Sequence, residues 1–177
     1  MYEITPKKSN NTARSLSIML LVIAFAAMIF SGIPGIPFRS VMQLIALLML
    51  AFSILLLTRY VLSSYSYAVV SNREGDFDLT VTELKRKSRI TVCRISLSSI
   101  EKITLAKSAD KDLAAKLKAD SKGKKSYNYC IDLAPEKYIH VIANECDEEL
   151  VIKLSYDKRL FSILSEGSGK TSDSTLQ

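Results

Sequence analysis

The chain has 177 residues, 48% of them hydrophobic, and a formal net charge of +6. One histidine and three cysteines without a C-x-x-C pair offer neither a metal-ligand set nor a disulfide framework, and they leave few routes to acid, base or nucleophilic catalysis. The basic balance admits nucleic acid or an anionic membrane surface as partners, and the placement of the apolar residues favours the membrane.

A flank of residues 1–14 carries Lys7, Lys8 and Arg14, after which residues 15–38 and 40–58 hold no charged side chain. A hydrocarbon core of roughly 30 Å needs about 20 apolar helical residues, and the segments 15–33 and 40–58 come close to that length. Both are apolar all round, whereas a helix buried in a soluble core normally keeps a polar stripe. They are predicted to form a transmembrane hairpin over 15–58. Gln43, the only strongly polar side chain in either span, is placed to hydrogen-bond across the pair or to sit at the interface.

Gly32, Pro34, Gly35 and Pro37 break the first helix and make a tight turn. Lys7, Lys8 and Arg14 before the first span, and Arg59 and Arg73 after the second, outnumber Arg39 in the turn. That asymmetry predicts an integral protein of the plasma (inner) membrane with both termini cytoplasmic. A signal peptide with a poor cleavage site at Ala24-Phe25-Ala26 is the alternative for the first run. It too leaves the C-terminal part inside.

Beyond Tyr60 the period changes to two. Strands are predicted at 65–70 (YSYAVV), 77–83 (FDLTVTE, with Phe77, Leu79 and Val81 on one face) and 89–97 (RITVCRISL). SNREGD (71–76) has hairpin composition, and 97–106 reads as a turn into a fourth strand. The stretch 108–120 is predicted helical, with Ser108 as N-cap and Ala109, Leu113 and Leu117 as its stripe. A strand then holds Tyr127, Tyr129, Ile131 and Leu133 on one face, and 137–144 and 149–156 form a last hairpin with Leu150, Ile152 and Leu154 inward. The final element is a helix capped by Asp157, with Tyr156 and Phe161 as a hydrophobic staple and a stripe of Leu160, Phe161 and Leu164. Residues 167–177 read as a disordered tail. Within that tail GSGKT imitates the end of a phosphate-binding loop, but Leu164 stands where the earlier glycine belongs.

Cys93 and Cys130 fall in predicted strands as small packing residues, and His140 has no Cys or His in register beside it. Residues 81–125 hold 13 Lys and Arg against 5 acids, net +8, while 126–177 hold 5 against 9, net −4. The basic excess concentrates in two turns, at Lys85, Arg86, Lys87 and Arg89 and at Lys122, Lys124 and Lys125. Each cation near an anionic leaflet contributes about 1 kcal/mol, so these seven are the candidate lipid-facing patch; ordinary solvated turns are the alternative. About five residues, 61–65, link the second span to the first strand, which keeps the domain near the headgroups.

Seven short strands followed by one amphipathic helix resemble the pleckstrin-homology-like (PH-like) barrel, a bent antiparallel sheet capped by a C-terminal helix. The stretches YSYAVV, RISLSSIEKI and LVIKLSYDKRLFSIL, just after paired apolar runs, resemble bacterial membrane proteins that carry a PH-like domain behind two N-terminal spans. The resemblance covers most of 64–166 and implies a membrane-anchored α+β protein with no cofactor and no catalytic residues. It implies binding or scaffolding, with an unidentified protein or a second copy as partner. Inositol-lipid recognition is disfavoured because SNREGD, in the first hairpin, is acidic on balance. The alternative is a small oligomeric channel, holin or transporter accessory subunit, against which stands the lack of intramembrane charge.

Overall fold

The computed structural model describes residues 2–8, 11–34, 38–72, 75–85, 87–145 and 148–168. The chain divides into a helical unit, Asn10–Ser63, and a strand-rich unit built from Met1–Ser9 together with Ser64–Gln177. Of the tail predicted at 167–177, Gly167 instead ends the last helix and Ser168 is its C-cap, while 169–177 lies outside the described residues, as do Arg73, Arg86, Cys146, Gly35 and Pro37.

In the helical unit, α1 (Thr12–Ser31) and α2 (Arg39–Leu56) pack together, and a π-helical turn, Leu57–Leu62, continues α2. Both helices are long and apolar enough to cross a membrane. α1 stops where Gly32 N–H turns back to the Ile29 carbonyl at 3.0 Å. Side chains buried between the helices are small: Ala13, Ser17, Ala24 and Ser31 from α1, Ala46 and Ser53 from α2. Small residues let two backbones approach where no hydrophobic force drives helices together in lipid. Ser53 Oγ donates to the Ser17 carbonyl across the pair at 2.8 Å. Gln43, a candidate for such a bond, is exposed. The link foreseen over 61–65 is largely absorbed, since β2 begins at Ser64.

The strand-rich unit holds eight strands among the described residues, in two four-stranded sheets not closed into a barrel, in place of the seven expected. The first sheet runs β1 (Tyr2–Ile4), β2 (Ser64–Ser71), β3 (Phe77–Lys85), β4 (Ser88–Ser96), all antiparallel. β1 was not foreseen. It pairs Tyr2 with Val69 and Ile4 with Tyr67, so the residues before α1 and those after α2 share one sheet. A bulge between Val81 and Thr82 interrupts the β3–β4 register.

Strand alternation decides what is buried. Tyr65, Tyr67, Val69, Leu79, Val81 and Ile95 enter the core, whereas Phe77, at the start of its strand, is 49% exposed. Asp78 points to the other face, where Arg94 Nε donates to it at 2.7 Å.

A 3₁₀ turn, Leu97–Ser99, leads into the second sheet, ordered β5 (Ile100–Lys107), β7 (Lys137–Glu145), β8 (Glu148–Ser155), β6 (Lys125–Asn128). Its inner face supplies Ile103, Ile139, Val141, Ile152 and Leu154 to the same core. β6 corrects the expected antiparallel strand through Leu133: it is short, and it lies parallel to β8. Asn128 Oδ1 accepts from Cys130 N–H at 3.0 Å, a local turn that takes the chain out of the ladder. Cys130 is therefore buried outside any strand.

α3 (Lys111–Asp120) starts at Asp110, whose carboxylate accepts from Leu113 N–H at 3.0 Å. Ser108, the expected cap, instead donates to the Pro135 carbonyl. Leu117 is the residue of the expected stripe that α3 buries; Ala109 is exposed.

Two features lock the unit. Tyr67, fully buried, donates its hydroxyl to the Tyr129 carbonyl at 2.8 Å and accepts from Ser155 N–H at 3.1 Å, joining the two sheets. α4 (Lys158–Gly167) lays Leu160 and Leu164, both fully buried, on the core, while Phe161 is half-buried. Asp157 Oδ1 caps α4 by accepting from Arg159 and Leu160 N–H, and the Tyr2 hydroxyl from β1 donates to the same oxygen at 3.0 Å. A side chain at Gly167 would collide with Leu97, so the end of α4 sits tight against the 3₁₀ turn.

Candidate functional site

The basic turn between β3 and β4 is placed by register. Ser64, the first residue of β2, lies opposite Leu84, and Leu84 lies opposite Arg89. The cationic end of the hairpin is thus the end of the sheet at which the chain enters from the helical unit, and β1 runs antiparallel to β2 toward that same end. Lys85 forms an ion pair with Glu83 at 3.2 Å. Lys87 and Arg89 are exposed, and among the described residues neither takes part in an ion pair. Arg86 lies outside the described residues.

Lys122, Lys124 and Lys125 belong to the other sheet, in the connection from α3 to β6 that turns through Gly123 at φ 84°. Lys124 pairs with Glu149 at 3.0 Å and Lys125 with Glu148 at 2.6 Å. The hydrogen bond and charge of Glu148 hold the Lys125 ammonium above its ordinary pKa. β6 lies beside the start of β8, so the acids of β8 largely cancel this cluster; Lys122 remains exposed. Of the two clusters, the α3–β6 connection thus keeps one exposed cation outside any ion pair among the described residues, and the β3–β4 end keeps two.

That end also carries an aromatic series absent from the sequence reading. Tyr129 packs edge-on against Tyr65 at 5.5 Å between ring centroids and stacks on Tyr127 at 6.2 Å. Its hydroxyl reaches the Val92 carbonyl at 3.4 Å. Exposure rises outward, from 2% at Tyr65 and 8% at Tyr129 to 43% at Tyr127. Ile90 and Val92 of the edge strand β4 are 50% and 37% exposed. The alternation of Tyr127 with Tyr129 was the available signal, but the partner strand was not.

Of the groups with titration chemistry, Cys93 adjoins this surface, next to Val92 in β4 and within reach of the Tyr129 hydroxyl, whereas His140 stands apart from it. His140 in β7 is buried at 1% exposure on the face opposite the main core, where Ser121 Oγ lies 3.3 Å from its Nε2. Among the described residues its Nδ1 and the hydroxyl of Thr104, opposite it in β5, have no hydrogen-bond partner. Burial, and then the charge of Lys153, lower its pKa to about 4, so the ring is neutral at pH 7. Burial pushes the Cys93 thiol up, and Glu145 adds to that. Among the described residues no group of three His, Cys, Asp or Glu side chains is arranged to hold a metal ion.

Comparison with family models, with curated proteins and with solved structures gives no match.

Proposed function

We propose that the chain is a non-enzymatic, membrane-anchored module. In this reading α1 and α2 cross the plasma (inner) membrane as a hairpin, and their connection faces out. The strand-rich unit is a PH-like domain on the cytoplasmic side, oriented by anionic headgroups through Lys87 and Arg89, with its remaining surface offered to a protein partner or a second copy.

The observation that carries this reading is the β1–β2 pairing. A strand preceding the first helix and a strand following the second can share a sheet only if both lie on one side of the bilayer. An even number of crossings satisfies that condition. Lys and Arg residues at the outer ends of the helices then favour the cytoplasmic side. The exposed faces of α1 and α2 support lipid contact: Val22, Phe25, Leu44 and Leu48 all lie open. The scaffold role is favoured by the separation of the buried His140 and the half-buried Cys93, which lie on strands of different sheets.

Thiol labelling of intact cells tests the topology. A cysteine introduced at Gly35, in the connection, reacts with an impermeant reagent, while one at Ser168 reacts only after permeabilisation, each against the unsubstituted chain as baseline. The reverse pattern would reject the cytoplasmic assignment.

A further inference from the structure

Four large hydrophobic side chains are open to solvent among the described residues of the strand-rich unit: Phe77, Ile90, Val92 and Tyr127. Three of them belong to the aromatic end of the fold. Val92 touches Tyr129 through its carbonyl, Tyr127 stacks on Tyr129, and Ile90 lies opposite Glu83, which lies opposite Tyr65. Ile90 and Tyr65 therefore share a sheet face, one open and the other buried. Lys87 and Arg89, in no ion pair among the described residues, shortly precede Ile90 in the chain.

We infer that this end of the domain enters the headgroup boundary of an anionic bilayer, with Ile90, Val92 and Tyr127 as the inserted residues and Lys87 and Arg89 on lipid phosphates. The inference rests on the proposed membrane anchoring and deepens it from facing lipid to penetrating it. An apolar tip beside exposed cations is the composition of an interfacial element, and tyrosine favours the headgroup level. Register supplies the position, because the tip adjoins Ser64, where the chain enters from the helical unit. The polar backbone of β4 limits the depth. β4 is the outer strand of its sheet, and backbone groups on an open edge are tolerated among wet headgroups but not in hydrocarbon. Phe77, at the opposite end of β3, is the natural reference.

The chain contains no tryptophan, so a single introduced indole reports its own site. Full-length Ile90→Trp, Tyr127→Trp and Phe77→Trp proteins are reconstituted in vesicles of phosphatidylcholine with and without phosphatidylglycerol, using acyl chains brominated near the headgroup. The expected result is blue-shifted emission and several-fold stronger quenching at positions 90 and 127 than at 77, with the quenching at 90 weakened when Lys87 and Arg89 are both changed to Ser. Equal quenching at all three positions overturns insertion. Unquenched emission whose blue shift grows with the protein-to-lipid ratio also overturns it, by assigning the tip to a second copy. Quenching at 90 that is unchanged without phosphatidylglycerol overturns the role given to the two cations and upholds insertion. Flotation of the same vesicles in alkaline carbonate separates the two levels: protein that floats unquenched defeats only this inference, and protein that is stripped off defeats the anchoring itself.

Discussion

Replacing Tyr67 with Phe removes one oxygen and keeps the ring, which isolates the hydrogen bonds that join the sheets. The hydroxyl serves two groups at once, the Tyr129 carbonyl at 2.8 Å and the Ser155 N–H at 3.1 Å, and Tyr67 is fully buried. Water cannot easily replace it. A buried polar group left unpaired costs about 1–3 kcal/mol, so two of them, with some relaxation, cost about 2–4 kcal/mol. For a unit of this size that corresponds to a fall of about 8–20 °C in melting temperature. The assay is thermal unfolding of the full chain in mild detergent, followed by the near-ultraviolet circular dichroism of its tyrosines. Tyr127→Phe, at a 43% exposed position, serves as the control and should change little. A Tyr67→Phe protein melting within about 2 °C of the parent would show that the hydroxyl does not bind the sheets together.

His140 gives a pH dependence whose sign follows from its lowered pKa. The buried ring prefers to be neutral, so its contribution is fully present above the unfolded value of 6.5, is lost as pH falls from there, and is exhausted below about 4. At 1.36 kcal/mol per unit the loss is at most about 3 kcal/mol, and His140→Gln should flatten that part of the stability profile measured by denaturant titration between these limits. A profile unchanged by the substitution would refute the burial argument. At the start of α4, Asp157→Ala should cost about 1–2 kcal/mol through the lost cap. Tyr2→Phe should cost about 1 kcal/mol. Because both act on Oδ1 of one carboxylate, the double variant should lose less than the sum; strict additivity in the denaturation cycle would show that β1 and the cap are independent.

What the sequence made legible was whatever depends on neighbours in the chain. Uninterrupted apolar runs located α1 and α2, alternation located β2 to β5 and β7 and β8, and Asp157 announced the start of α4. Features that depend on distant partners were hidden. β1 is three residues long, too short for a period, and its partner lies more than sixty residues away. Ser108 and Asp110 are both good caps, and only the backbone path selected Asp110. The two basic turns look equivalent as composition, yet Glu148 and Glu149 neutralise the second and nothing described neutralises Lys87 and Arg89. Gln43 was read as bonding across the helix pair or sitting at the interface; it is exposed, and Ser53 makes the bond where the backbones approach. The stripe of Leu160, Phe161 and Leu164 was legible as core-facing, and of the three only Phe161 falls short, half-buried where the two leucines are fully buried.

The pairing of Ile4 with Tyr67 makes everything between them a loop, and the helical unit an insertion in a β-hairpin. Such a loop carries an entropic cost of closure that grows only slowly with length, by about 0.6 kcal/mol for each doubling. Here part of that cost is met in advance, since α1 and α2 pack antiparallel, with Ser17 near the start of one bonded to Ser53 near the end of the other, and so return the chain toward its origin. The order of synthesis runs against the order of assembly. β1 precedes its partner strand by about sixty residues, so that edge can form only after both helices have been made. A chain whose two helices failed to pair would leave the β2 edge uncovered and Asp157 without Tyr2. The state of the helices would then be written into the domain that follows them.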